Sequence, residues 1–307
     1  MGQCRLCRLR CPQASYHSLY STRGKKVWQI CLGRFCPFFL REVNIAAMCL
    51  IIFAYQSDPR FPLVVAANRD EIFARPTAQA ALWTDEDSGQ QILSGRDKQA
   101  GGTWLGITQN GRFAAVTNIR DPSQTERRAR SRGDLTRQYL AGNDSPQQYS
   151  KRLTESYNQF AGYNLLVGDS NSLFYVNNHE EKIWEIEPGV HGLSNGLLNS
   201  SWPKVDKGKT RLQALMQQPD ALTTDALLAM MGDRSQAADA DLPDTGIGIE
   251  IERKLSSAFI LNPKREYGTL CSTALIFDQR GPTRFSEQNF DSLGNKSQGH
   301  TFQLPPA

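Results

Sequence analysis

Met48-Cys49-Leu50-Ile51-Ile52-Phe53-Ala54-Tyr55 is the stretch on which the reading of this chain turns. It is apolar, β-branched and aromatic, so Cys49–Gln56 reads as a strand buried on both faces. The full apolar run, Ile45 to Tyr55, has eleven residues. A bilayer span needs about 20. The run also starts too late for a secretory signal. If translation starts at Met48, removal of the initiator leaves Cys49 as first residue, with a thiol and a free α-amine. Such an amine titrates at about 7.7–8.0, so it can take the proton of its own thiol. The plainer alternative is a free Cys that simply packs as a small hydrophobe.

Composition changes at the same point. The chain of 307 residues has 35 Lys+Arg and 31 Asp+Glu, a net charge of +4. Residues 1–47 alone carry +7 and five of the seven Cys, which leaves −3 for the rest. Three readings of 1–47 compete. Cys4, Cys7, Cys11, Cys31 and Cys36 suggest a metal site, but their spacing matches no standard finger. An Arg-rich, acid-poor leader suggests a transit peptide, which its Cys content opposes. The favoured expectation is a leader outside the mature protein, with 48–307 as a single domain. That body has too few Cys for a disulfide scaffold, so a reducing, cytoplasmic setting is expected. Its net negative charge argues against nucleic acid as partner.

Further along, Gly102–Thr108 and Arg112–Asn118 flank Asn110-Gly111, a strong hairpin signal. Pro62–Ala67, Tyr163–Gly168, Leu173–Asn177, Lys182–Ile186, Val190–Ser194, Cys271–Asp278 and Thr283–Glu287 also read as strands. Leu135–Leu140, a run from Ser145-Pro146 to Phe160, Lys207–Gln217 and Thr224–Met231 read as helices, and Asp233–Thr245 as a polar loop. Antiparallel hairpins with helices in blocks give an α+β class.

Several polar residues are candidates for chemistry. Asn68-Arg69-Asp70-Glu71 closes the second strand, where pairing would bring it beside Cys49. Arg69 would favour thiolate there, and Asp70 would orient the amine or Arg69. A solvated turn is the alternative. Asn118 and Asn195 end strands, where a side-chain amide suits an oxyanion as well as an Asx turn. Gly101-Gly102-Thr103-Trp104 reads as a tight turn with close backbone approach. Arg127, Arg128, Arg130 and Arg132 form either a solvated loop or a clamp for phosphate or carboxylate. Asn68, Trp104, Arg120 and Arg132 are taken as substrate-binding candidates. His179 and His191 are isolated and read as packed or surface residues.

Together MCLIIFAY, AANRDE, GGTWLGIT-x-NGRFAAVTN-x-R, SRGDL, GLSNG…WPK and YGT-x-x-ST resemble the NRDE family, also called the transport and Golgi organization protein 2 family. The resemblance runs from Met48 to about Phe285. It implies the N-terminal-nucleophile hydrolase fold, a four-layer αββα sandwich similar to penicillin V acylase and bile-salt hydrolase. It implies Cys49 as nucleophile and base, Arg69 and Asp70 beside it, Asn118 as oxyanion donor and Asn195 as a second polar residue. Where the family usually has Arg after YGT, this chain has Leu270-Cys271. Members have been connected with Golgi organisation and secretion, lipid and coenzyme A metabolism, and haem mobilisation.

The expected function is therefore a cysteine amidohydrolase or acyl-transfer enzyme acting on a small amide or thioester. No metal, cofactor or membrane span is expected. The alternative is a non-catalytic haem or lipid carrier on the same fold, toward which Cys11-Pro12 and Cys36-Pro37 would point. A third reading is an α+β domain with a structural Cys49.

Overall fold

The computed structural model describes residues 48–123 and 128–306. The expectations for the leader 1–47 and for Arg127 therefore lie outside the described residues. In chain order the strands are β1 (Met48–Asp58), β2 (Phe61–Ile72), β3 (Thr77–Thr84), β4 (Gln91–Asp97), β5 (Leu105–Thr108), β6 (Phe113–Asn118) and β7 (Tyr163–Gly168). They continue with β8 (Leu173–Asn177), β9 (Lys182–Glu185), β10 (Gly189–Leu193), β11 (Leu261–Asn262), β12 (Tyr267–Ile276), β13 (Thr283–Phe290) and β14 (Lys296–Leu304). The α-helices are α1 (Gly133–Ala141), α2 (Pro146–Leu153), α3 (Pro203–Met216), α4 (Thr224–Met231) and α5 (Ile249–Lys254).

Two antiparallel sheets result. One runs β10-β1-β2-β12-β13-β14, with β11 paired to β12. The other is a meander from β3 to β9. Alternation along β1 decides what each face buries. Ile51, Phe53 and Tyr55 pack with Leu63 and Val65 against Leu93, Ile107 and Phe113 of the second sheet. Leu50, Ile52 and Ala54 turn the other way, onto Val205 and Leu212 of α3 and Leu227 of α4. On the far side of the second sheet, Leu135 and Tyr139 of α1 and Tyr149 and Leu153 of α2 cover Leu165 and Val167. The layers are helix, sheet, sheet, helix: the α+β, αββα sandwich. Each large side chain so buried contributes about 1.5–3 kcal/mol.

The hairpin around Asn110-Gly111 forms, with Ile107 paired to Phe113 and Gly111 at φ +79°. The run from Ser145-Pro146 is not one helix. Ser145 caps α2 through a capping box, and the chain tightens to a 3-10 turn over Thr154–Gln159. The helix read from Lys207 begins at Pro203, which takes the first helical position. That helix lies close on β1, because a Cβ on Gly208 would stand 2.7 Å from Ile52.

Candidate functional site

The ladder between β1 and β2 pairs Cys49 with Arg69, and the ladder between β2 and β12 pairs Arg69 with Cys271. Directly opposed residues share a face. The three therefore form a row on the face that meets the second sheet. The two thiols are free and buried. They lie two strands apart, roughly 10 Å by strand spacing, too far for a disulfide. Burial pushes the Cys49 thiol up to about 12; the charge of Asp70 adds to this and Arg69 opposes it.

Arg69 is held on three sides. Its guanidinium lies 4.3 Å from the Trp104 ring centroid, Nη1 donates to Thr77 Oγ1 at 2.9 Å, and Nη2 is 3.7 Å from Glu71 Oε2. Trp104 fits only because residue 95 is glycine: a Cβ there would come within 2.2 Å of the indole. The close approach read from Gly101-Gly102 is present as well, since a Cβ on Gly102 would stand 2.3 Å from the Gly133 carbonyl carbon. This contact pins the start of α1, and Arg132 just before it, against the Trp104 end of β5. Arg132 Nη1 donates to Gly162 O at 3.2 Å. Burial lowers its pKa to about 10, opposed by the fields of Cys49 and Glu71.

Asp70 faces the helix side of the first sheet. Its Oδ1 accepts from Thr269 Oγ1 at 2.6 Å, while Oδ2 is buried with no hydrogen-bond partner among the described residues. Its carboxyl interacts electrostatically with Lys204, the second residue of α3, whose Nζ is buried and equally without a hydrogen-bond partner among the described residues. Burial raises the Asp70 carboxyl to about 7 against the pull of Lys204. Burial, then the charge of Arg120, lowers Lys204 to about 8.

Asn118 and Asn195 meet where the two sheets come together. Asn195 Nδ2 donates to the Asn118 backbone oxygen at 3.0 Å, and Ser194 Oγ donates to the Cys49 carbonyl at 3.1 Å. The Cys49 backbone is thus tied to the second sheet through two side chains. Arg120 joins by its backbone, its N–H donating to Asn195 O at 2.8 Å. Its guanidinium pairs with Glu252 at 2.6 Å and lies over Trp202.

Cys49, Arg69, Trp104, Arg132, Asn118 and Asn195 therefore gather at one end of the sandwich, with Asp70 and Lys204 behind β1. Asn68 does not join them. It lies on the helix face, where Nδ2 donates to Met231 O and Ala258 O and Oδ1 accepts from Ser272. The Asn68–Glu71 run is buried strand, not solvated turn. His191 stacks on Phe53, and His179 is half exposed near Asp121. Sequence reasoning missed Ser194 and Lys204. Pro203 could have signalled where α3 begins, but not which residues Lys204 would meet.

Among the described residues no His, Cys, Asp and Glu cluster could hold a metal ion, and no helix is long and apolar enough to cross a membrane.

Residues 48–292 match the family model described as Transport and Golgi organisation 2. The chain is 33% identical to the Transport and Golgi organization protein 2 homolog of Bos taurus, over 84% of this chain and 99% of that protein. It is 33% identical to the homolog of Homo sapiens, over 79% and 93%. Among solved structures it is similar to a mutant conjugated bile acid hydrolase from Clostridium perfringens, with TM-score 0.47, 8% identity, and 83% of this chain and 92% of that covered. It is also similar to an N-acylethanolamine-hydrolyzing acid amidase ortholog of Caenorhabditis elegans, with TM-score 0.43, 11% identity, and 74% and 92% covered.

Proposed function

The chain belongs to the Transport and Golgi organisation 2 family, and from that premise and the surroundings of Cys49 we propose that it is a cysteine amidohydrolase of small amides or thioesters. In this reading the working form begins at Cys49, residues 1–48 having been left untranslated or removed.

The observation that carries the reading is Asp70. Met48 and Asp70 are paired across the β1–β2 ladder, and Asp70 Oδ2 is buried without a hydrogen-bond partner among the described residues. Loss of Met48 would leave an α-ammonium at Cys49 as the group this oxygen lacks.

The amine takes the thiol proton, and Sγ attacks the carbonyl carbon. The carbonyl oxygen becomes an oxyanion, held by side-chain amide donors at the ends of the two sheets. One such donor is worth about 3 kcal/mol. Collapse breaks the C–N or C–S bond, and the leaving group takes the proton from the ammonium. Water, deprotonated by the same amine, then attacks the thioester and releases a carboxylic acid and the free thiol. Arg69 favours thiolate during these steps, and Arg132 offers a cation to an acidic substrate.

Intact-mass analysis of the purified protein tests the premise: the expected mature form starts at Cys49. In a form that retains Met48 the Cys49 nitrogen is an amide with no basicity, and the mechanism fails. Cys49→Ala is expected to fold and to lose all turnover and all labelling by β-lactone probes. The haem-carrier alternative separates on haemin titration. A spectrum that changes between the parent and Cys49→Ala, without hydrolysis in either, favours the carrier.

A further inference from the structure

Lys204 is a buried ammonium that no described side chain or carbonyl solvates by hydrogen bonding. It sits in the first turn of α3, where the helix dipole further disfavours a cation. An uncompensated buried charge of this kind is strongly destabilising, so its presence calls for a reason. The charged groups around it come from four elements: Cys49 on β1, Asp70 on β2, Arg120 just beyond β6 and Glu252 on α5. Arg120 and Glu252 form an ion pair with each other at 2.6 Å. At Lys204 the repulsion of Arg120 still outweighs the attraction of Glu252, so the groups that favour the ammonium are Asp70 first and the Cys49 thiol next.

The thiol has its own surroundings. Arg69, Asp70 and Glu71 act on it from β2, Arg132 from the turn before α1, and Cys271, itself next to Glu287, from β12. Asp70 and Glu71 oppose the thiolate. A cation that acts on Asp70 offsets the charge by which Asp70 opposes the thiolate. Its field reaches Cys49 from the helix side of the sheet, the side that Arg69 does not cover.

We propose that Lys204 is the positioning residue that makes Cys49 reactive: its charge is shared between Asp70 and the Cys49 end of β1, where it neutralises the carboxylate and favours loss of a proton from Cys49. On a chain beginning at Cys49, the same cation would also hold the α-amine in its basic form, because two ammonium groups compete for one carboxylate. The inference rests on the reading of Cys49 as the reactive thiol.

The test is alkylation of the full chain by iodoacetamide from about pH 6 to about pH 10, followed by peptide mass spectrometry at Cys49 and Cys271. The same spectra report whether Cys49 is internal or N-terminal, so failure of the processing premise is read separately. Cys271, 1% exposed against 8% for Cys49, reports the fold, since its labelling marks an opened protein. In Lys204→Met, Cys49 labelling near neutral pH is expected to fall about tenfold and its titration to move to higher pH. Asp70→Asn is expected to move it lower. Lys204→Arg, which keeps the charge, is expected to restore the parent profile. A Lys204→Met profile that coincides with the parent's overturns the proposal, and so does a Lys204→Arg profile that matches Lys204→Met. If Lys204→Met exposes Cys271, the comparison passes to Asp70→Asn against Asp70→Asn with Lys204→Met, in which no lone charge is left. Coincident profiles there overturn the proposal equally.

Discussion

Asp70 stands directly across the β1–β2 ladder from Met48, on the opposite face of the sheet from the Cys49–Arg69–Cys271 row. The carboxylate therefore reaches the backbone at the start of β1 from one side while Arg69 reaches the thiol from the other. A single residue at position 49 is served by both faces of one strand.

That arrangement has a pH signature. Folded Asp70 keeps its proton up to about 7, against 3.8 for an ordinary aspartate. Between those values the folded chain holds a proton that the unfolded chain has lost, so stability falls as pH rises through the window. Lys204 acts in reverse. Between about 8 and 10.5 the unfolded chain holds the extra proton, and stability rises with pH. The pair's contribution is thus lowest near neutrality. Asp70→Asn should flatten the fall in melting temperature between about pH 5 and about pH 7, by at least ~3 °C relative to the parent. Differential scanning calorimetry of both proteins reads this; parallel curves would remove Asp70 as the titrating group.

Trp104 holds Arg69 by its face, and Gly95 makes the room. Gly95→Ala would set a Cβ 2.2 Å from the indole. The ring must move off Arg69, at a cost of about 1–3 kcal/mol for overpacking. Cys49 labelling and turnover are expected to drop together. Adding Trp104→Leu to Gly95→Ala should recover stability but not labelling. If labelling returns as well, the stacked ring has no part in holding Arg69.

Much of this was legible in the sequence, for reasons that differ by residue. β1, β2, β5, β6, β7 and β12 are buried on both faces, so their apolar runs announce them. β14 escaped notice because Lys296–Leu304 is a polar edge strand whose exposed side carries the sequence. β3 and β4 mix Gln, Ser, Gly and Arg with their apolar residues. In sequence the Asn68–Glu71 run reads as one cluster, yet strand alternation splits it. Arg69 and Glu71 turn toward Cys49, while Asn68 and Asp70 turn toward the helices. Lys204 was not legible, because its neighbours are set by how closely α3 packs.

Gly102 fixes Arg132 through a backbone contact that has no slack on either side. A Cβ there would sit 2.3 Å from one Gly133 backbone atom and 2.5 Å from another. Gly102→Ala should therefore cost several kcal/mol, a fall of at least ~6 °C in melting temperature. Surviving folded protein should show a raised KM for acidic substrates and an unchanged KM for neutral ones, since Arg132 moves with the turn. An equal change for both classes would count against Arg132 as the anion contact.

Asn118 and Asn195 allow the oxyanion role to be separated from the structural one. The bond from Asn195 Nδ2 ends on the backbone oxygen of Asn118, so Asn118→Ala leaves that acceptor in place. Ser194→Ala removes the bond to the Cys49 carbonyl, and with it the contact of Oγ with Asn195 Oδ1 at 3.3 Å, but leaves the Asn118 amide untouched. If the Asn118 side chain donates to the developing oxyanion, Asn118→Ala should lower kcat by about a hundredfold to a thousandfold with little change in KM. Ser194→Ala should do the opposite: it loosens the start of β1, lowers the melting temperature by a few degrees and costs about tenfold or less in kcat. Equal losses of kcat in the two variants would mean that the Asn118 amide only braces the junction between the sheets, and the oxyanion donor must be sought in Asn195 or a backbone N–H.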